Sequence, residues 1–185
     1  MRPCVLLLAL GLQGAAAAAD DIDSLMQLLA QHRHGEASFV EQHFMKLLKR
    51  PVESLGELRF DAPDRLEKRT LEPQPEDLVL EGDELRMTRH GRTRTASLAD
   101  YPQIRPLIEG MRATLAGDRA GLERLFEVQF FGDLARWTLL LVPRAPDSRV
   151  ARVQIEGARD ALLLVEVRER DGDRSLLTLR GHAAR

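Results

Sequence analysis

His32, His34 and His43 lie close together along the chain, and imidazole is the commonest metal ligand. A metal centre needs three or four ligands converging on one point, and no cysteine or carboxylate completes this set at ligand spacing. His32, Arg33 and His34 instead close an amphipathic run, where the negative end of a helix dipole favours cations. The six serines are scattered without a Gly-x-Ser-x-Gly elbow, and no Gly-x-Gly-x-x-Gly loop is present to hold a phosphate. Carboxylates are abundant, but they alternate with Arg and Lys as they do on solvated strand faces. The expectation is a protein with no catalytic residue, no metal and no cofactor.

Cys4 is the sole cysteine, and it precedes an apolar core, Val5 to Leu12, that is followed by Ala17-Ala18-Ala19. With Arg2 as a minimal positive start, residues 1–19 have the layout of a cleavable export signal. The apolar run is too short to span a bilayer, which takes about 20 residues. A lipid-modified terminus would need its cysteine at the end of that core, so an unanchored periplasmic protein is expected. Residues 20–185 then form one domain of 166 residues (185 minus 19) that lacks cysteine, which removes disulfides and thiolate chemistry together. Without Arg2 its charge is −3 (26 basic against 29 acidic), which gives nucleic acid no electrostatic hold.

The elements that must position any site follow from periodicity. Asp20 to Gln31 is an amphipathic helix, and Ser38 to Lys49 a first strand ended by Arg50-Pro51. In Ser54 to Asp61, Gly56, Leu58 and Phe60 share one face while Glu57, Arg59 and Asp61 share the other, a register that a one-residue slip would ruin. Ala62-Pro63-Asp64 turns the chain, and Arg65 to Glu72 returns with Leu66, Lys68 and Thr70 facing inward. Lys68 either snorkels to the rim of the sheet or meets a polar headgroup. Beyond Pro73 and Pro75, Leu78 to Glu81 and Glu84 to Arg89 form a hairpin across Gly82-Asp83, with Leu78, Leu80, Leu85 and Met87 on its dry side. Arg92 to Leu98 is a more polar strand, and the run Arg86, Arg89, His90, Arg92, Arg94 is either a solvated hairpin tip or a basic patch for an anionic membrane or acidic partner.

Between Tyr101 and Phe126 the period changes to 3.6, with a stripe of Ile104, Leu107, Ile108, Met111 and Leu115, then a short helix carrying Leu122 and Leu125 beyond Gly117-Asp118. Strands resume with Phe126, Val128 and Phe130, then Trp137, Leu139 and Leu141, Val153 and Ile155, Leu163, Val165 and Val167, and Leu177 and Leu179. A sheet this apolar on one face curls, and the helical insert must pack on that face as a lid. The space beneath is either a filled core or a cavity. Lined by Leu, Val and Met, with aromatic residues at only 4%, a cavity would suit flexible hydrocarbon chains.

The order and spacing of several short motifs sharpen this picture. An N-terminal helix, Phe39-x-x-Gln42, Gly56-Glu57-Leu58-Arg59-Phe60 with Pro63 and Leu66, Glu72-Pro73, and Leu80-Glu81-Gly82-Asp83-Glu84-Leu85 occur in sequence, and the likeness continues through the central helices and the strand Trp137 to Pro143. Together they resemble the periplasmic outer-membrane lipoprotein carriers of the Lol system, the LolA family. The resemblance implies an α+β fold: an unclosed antiparallel half-barrel of about ten strands with an N-terminal helix and a central helical lid. It also implies acyl chains held inside a monomeric carrier, with an inner-membrane exporter as donor, an outer-membrane acceptor, and transient membrane contact.

On that basis Leu58, Phe60, Leu66, Leu80, Met87, Phe130, Trp137 and Leu139 are expected to form the lipid-binding wall, and Ile104, Leu107, Ile108 and Met111 the lid. Two positions depart from the family pattern. Where its members usually carry an arginine that hydrogen-bonds the lid shut, and often a tryptophan on the next strand, this chain has Ala62 and Lys68. A changed latch is expected, which widens the possible cargo from lipoproteins to a glycolipid, fatty acid or pigment-like acyl product. The same half-barrel could also serve as a lipid sensor that binds a partner protein.

Overall fold

The computed structural model describes residues 14–181. The expected signal, residues 1–19, lies largely outside the described residues, and Cys4 wholly so. Helix α1 spans Gly14–Leu29. Eleven strands follow: β1 (His34–Phe44), β2 (Val52–Asp61), β3 (Arg65–Glu72), β4 (Glu76–Glu81), β5 (Glu84–Arg89), β6 (Arg92–Ser97), β7 (Phe126–Asp133), β8 (Arg136–Pro143), β9 (Val150–Ala158), β10 (Ala161–Glu169) and β11 (Arg174–Gly181). A 3₁₀ turn (Leu98–Asp100) and helices α2 (Arg105–Leu115) and α3 (Arg119–Leu125) lie between β6 and β7.

All eleven strands form one antiparallel sheet in the order β6-β5-β4-β3-β2-β1-β11-β10-β9-β8-β7. The two ends of the chain's strand series therefore meet in the middle, where β1 pairs with β11, while β6 and β7 are free edges. The sheet is an unclosed half-barrel, and the chain that joins its two edges is the helical segment. That connection forces α2 and α3 across the open side, because consecutive elements pack close to where the chain leaves them.

Both boundaries of β1 differ from the sequence expectation for local reasons. β1 begins at His34, four residues early, because His34 and Gly35 pair with Asp61 and Phe60 and the His34 ring meets the Asp61 carboxylate at 2.8 Å. It ends at Phe44, so Leu47 and Leu48 lie in the connection to β2 rather than on the strand. There the Leu48 N–H bonds the Met45 carbonyl and the Lys46 N–H bonds Asp173 Oδ1, both at 2.9 Å, which closes a turn before the pairing can continue.

The α2–α3 corner shows why a glycine is required at Gly117. Its φ of +66° lies in the left-handed region, and a Cβ there would stand 2.2 Å from the Met26 carbonyl oxygen of α1. The Gly117 and Asp118 N–H groups bond the Thr114 and Ala113 carbonyls, and Asp118 then caps α3 through Gly121 at 2.8 Å. The helices are thereby pressed onto the C-terminal part of α1.

Candidate functional site

In an antiparallel pair, residues directly opposite share a face. The register therefore writes out the sheet face that meets the helices. One rung runs Phe130, Leu139, Ile155, Val165, Leu177, Glu41, Ser54 across seven strands. Others run Leu58, Lys68, Leu78, Met87, Arg94 and Phe60, Leu66, Leu80, Leu85, Ala96. The inner face is apolar at both ends and polar where Glu41, Ser54 and Lys68 converge.

The larger apolar lobe is a filled core. Trp137, Leu139, Leu141, Val153, Ile155 and Val165 of the sheet pack with Ile22, Leu25, Met26 and Leu29 of α1, with Leu122 of α3, and with Leu107 and Met111 of α2; Phe130 packs at its margin. Trp137 is fully enclosed, donates its indole N–H to the Arg159 carbonyl at 2.8 Å, and lies over Gly157, where a Cβ would come within 2.2 Å of the ring. Trp137 and Leu139, expected in a wall beneath the central lid, thus lie in a core that α1 shares with α2 and α3. The sequence marked α1 as amphipathic but carried no signal for which part of the sheet it would cover.

A second, smaller lobe lies at the other end. Leu80, Leu85 and Leu98 are buried, with Leu66, Leu78 and Ile108 packed around them. Leu98, by its pattern the end of a polar strand, lies just beyond β6 and is completely buried beside α2. Ile108 is the α2 residue of this lobe, while its neighbour Leu107 turns towards the larger one, so α2 straddles both. Ile104 is half-buried at the start of α2. Leu58 is half-buried and Phe60 is buried on β2 between the lobes, whereas Met87, opposite Arg94, is 37% exposed and stands at the rim.

Between the lobes lies a polar cluster that the sequence reading held only in part. Lys68 Nζ donates to Glu41 Oε2 and lies 5.0 Å from the Phe39 ring centre; Ser175 donates to Glu41 Oε1 at 2.9 Å, and Ser54 lies at 3.5 Å from its other oxygen. Burial pushes the Glu41 carboxyl up, but the Lys68 ammonium beside it, the two hydrogen bonds from Lys68 and Ser175, and His43 more than offset this and hold it below the usual carboxylate range. Lys68 is therefore neither bare at the rim nor unpaired inside. It bridges the inner face from β3 to β1.

Helix α2 is hydrogen-bonded to the β4–β5 turn in a place the sequence did not suggest. Arg112 of α2 is buried and donates through Nη2 to the carbonyl oxygen of Gly82, in the β4–β5 turn, while Nη1 lies 3.6 Å from Glu109. Gly82 has a φ of +56°, and the adjoining Asp83 accepts from the Leu98 N–H at 2.8 Å and from Ser97 Oγ at 3.1 Å. The turn thus ties the end of β6 and the lid to one point. The arginine is on the helix and its acceptor on the sheet, and Ala62 takes no part.

The other candidates resolve into separate contacts. His32 meets Asp160 at 2.8 Å and His34 meets Asp61, so the two histidines serve different carboxylates. In the basic run, Arg86 pairs with Glu84 at 2.7 Å and Arg89 bonds Gln74, while Arg92 and Arg94 are exposed on β6. Among the clefts in the surface of the described residues, two lie away from the small lobe. One of about 200 Å³ adjoins Glu57, Arg59, Glu67 and Arg69, and one of about 320 Å³ adjoins Ile22, Arg119, Glu123 and Phe130; neither is lined by Leu80, Leu85 or Ile108.

The family of outer membrane lipoprotein carrier proteins described as LolA-like matches residues 14–185. The chain belongs to the LolA-like family. No curated protein matches it at the level of sequence. Among solved structures, it is similar to the LolA superfamily protein NE2245 from Nitrosomonas europaea (9% identity, TM-score 0.46, covering 88% of this chain and 91% of that one). It is also similar to the lipoprotein LppX from Mycobacterium tuberculosis (9% identity, TM-score 0.49, covering 93% and 98%). A third similarity is to MucB in the Pseudomonas aeruginosa MucA/MucB complex (16% identity, TM-score 0.48), where 90% of this LolA-like chain corresponds to 58% of the other, little more than half its length. Among the described residues of this member, no helix is long and apolar enough to cross a membrane.

Proposed function

We propose that this LolA-like protein is a non-enzymatic periplasmic carrier, released by cleavage of residues 1–19, that holds the acyl chains of a lipoprotein or other acylated lipid on its inner face and conveys them towards the outer membrane. The observation that supports it is the asymmetry of the inner face. The small lobe around Leu80 and Leu85 is closed on the α2 side by Ile108, and α2 is tied to the sheet beside that lobe by one arginine–carbonyl hydrogen bond. Swinging α2 aside would uncover Leu66, Leu78, Leu80 and Leu85 as a continuous apolar strip next to the Glu41–Lys68 pair.

Burying hydrocarbon is worth about 0.8 kcal/mol per CH₂, so one acyl chain gains on the order of ten kcal/mol in such a strip. Leaving a bilayer forfeits nearly the same amount, so a carrier has to sit close to balance and accept cargo from an exporter and give it up to an acceptor. Releasing the Arg112–Gly82 hydrogen bond contributes about 1 to 3 kcal/mol to the cost of opening, on top of the packing of Leu107 and Met111 against the larger lobe. Lys68 and Glu41 stand where the polar group at the head of an acyl chain would lie if the chain occupied the small lobe.

Native mass spectrometry of the protein recovered from the periplasm tests this reading. The expected result is a bound acylated molecule whose yield Ile108→Ala lowers sharply while melting falls by only a few degrees. A wild-type protein that emerges empty and also fails to bind fluorescent fatty acids overturns it.

A further inference from the structure

The connection between β1 and β2 reads Met45-Lys46-Leu47-Leu48-Lys49-Arg50-Pro51, and neither the lobes nor the latch use it. Leu47 is 95% exposed, Leu48 49%, and Val52, the first residue of β2, 43%. Single exposed apolar residues are ordinary on a soluble protein. Here two adjacent leucines project together from one tip, and Leu47 presents almost its entire side chain to solvent.

The tip is held in shape rather than loose. The Leu48 N–H to Met45 carbonyl bond closes the turn, and Asp173, from the neighbouring β10–β11 turn, holds the Lys46 backbone N–H at 2.9 Å. Around the leucines stand Lys46, Lys49 and Arg50, all exposed, and among the described residues none of these three side chains forms an ion pair. Three positive charges within residues 46–50 reverse the sign of a chain whose net charge is −2. Exposed leucines ringed by unpaired cations match a bilayer surface, where acyl chains take up the apolar side chains and phosphates meet the ammonium and guanidinium groups.

We propose that the β1–β2 tip docks this protein on an anionic bilayer, with Leu47 and Leu48 entering the interface and Lys46, Lys49 and Arg50 contacting lipid phosphates. Glu41 and Ser54 face each other on the same hairpin, two register positions before its last pair, so docking by this tip sets the Glu41 end of the polar cluster towards the membrane. Only the purpose of the docking rests on the carrier reading, and the two can fail separately.

Sedimentation of the full chain with vesicles tests the proposal. Binding is expected to vesicles of phosphatidylglycerol mixed with phosphatidylcholine, and to be much weaker with phosphatidylcholine alone. L47E/L48E should reduce it about tenfold or more, and K46E/K49E together or added salt should also reduce it. The melting temperature of each variant should match the parent, because the substituted side chains are exposed. The proposal is overturned if the protein ignores both vesicle types, if L47E/L48E leaves binding unchanged, or if binding requires a membrane protein in the vesicle. Retained vesicle binding by a protein that takes up no acyl probe would remove the carrier reading alone, and retained probe uptake without vesicle binding would remove the docking alone.

Discussion

The two apolar lobes of the inner face are made from the same kind of alternating strand, yet they are closed in different ways. The lobe on β7 to β11 is filled by α1 and secured at several points: Arg119 of α3 meets Asp23 of α1 at 2.7 Å, Gly117 lets the α2–α3 corner sit against Met26, and Trp137 is hydrogen-bonded from within. The lobe on β3 to β5 receives Ile108 and Leu98 and is bounded by the Arg112–Gly82 bond. One end of the half-barrel is therefore core in the ordinary sense. The other is a smaller apolar surface covered by Ile108 and Leu98, and the difference lies in the elements laid over the strands rather than in the strands themselves.

The largest effect that would break this comparison concerns side-chain truncation in each lobe. Leu25→Ala, in α1, is expected to cost about 2 to 5 kcal/mol, whereas Ile108→Ala, on a half-buried residue of the lid, should cost about 1 kcal/mol and instead weaken acyl-probe binding. Urea unfolding of the two variants measures this. Equal losses would mean that both lobes are equally core-like.

A smaller effect isolates the latch. Arg112→Leu removes the bond to Gly82 while keeping an apolar side chain in the buried site, and should lower stability by about 1 to 2 kcal/mol. Its distinctive signature is faster amide hydrogen exchange in α2 than in α1, together with faster probe release. Uniform acceleration across both helices would show that the arginine supports the whole helical layer rather than the lid.

The smallest effect concerns the polar bridge that divides the lobes. The carboxyl of Glu41 titrates below its ordinary value of 4.5 in the folded protein, so its contribution to stability is complete at neutral pH and is lost as pH falls through that lower folded value. In Lys68→Met the same carboxyl keeps the burial that raises it and loses the ammonium that lowers it, so its titration should move upward, with a stability change of at most about 1 kcal/mol because both side chains are partly exposed. Carboxyl chemical shifts followed over acid pH provide the measurement. A Glu41 titration unchanged by Lys68→Met would mean that the pair is not held in solution.

Much of this arrangement was legible in the residues. The alternation in Ser54 to Asp61 assigned Phe60 to the inside, and Leu80, Trp137 and Leu139 were likewise placed on dry faces; all four are buried. The stripe from Ile104 to Met111 identified α2, whereas the departure at Ala62 gave no sign of where α2 would be bonded to the sheet. The destination of α1 was not legible, because an amphipathic helix declares that it will be covered and not by what. Arg112 was equally silent: an arginine four residues beyond Ile108 looks like any solvated helix residue until its guanidinium is found against a turn thirty residues earlier in the chain.

The sequence alone determined the quantities that repeat locally. A period of two sets which side chains share a sheet face, and a period of 3.6 sets a helix stripe, so the strands, the helical insert and the sidedness of each could be read without knowing any partner. Only the tertiary structure decided which strand lies beside which. Pairing β1 with β11 sets Glu41 against Leu177 and brings Ser175 to its carboxylate, while the unpaired edges at β6 and β7 leave the helices to cross the opening. Such contacts join residues far apart in the chain, and no local periodicity encodes them because they depend on how the whole sheet curls and closes.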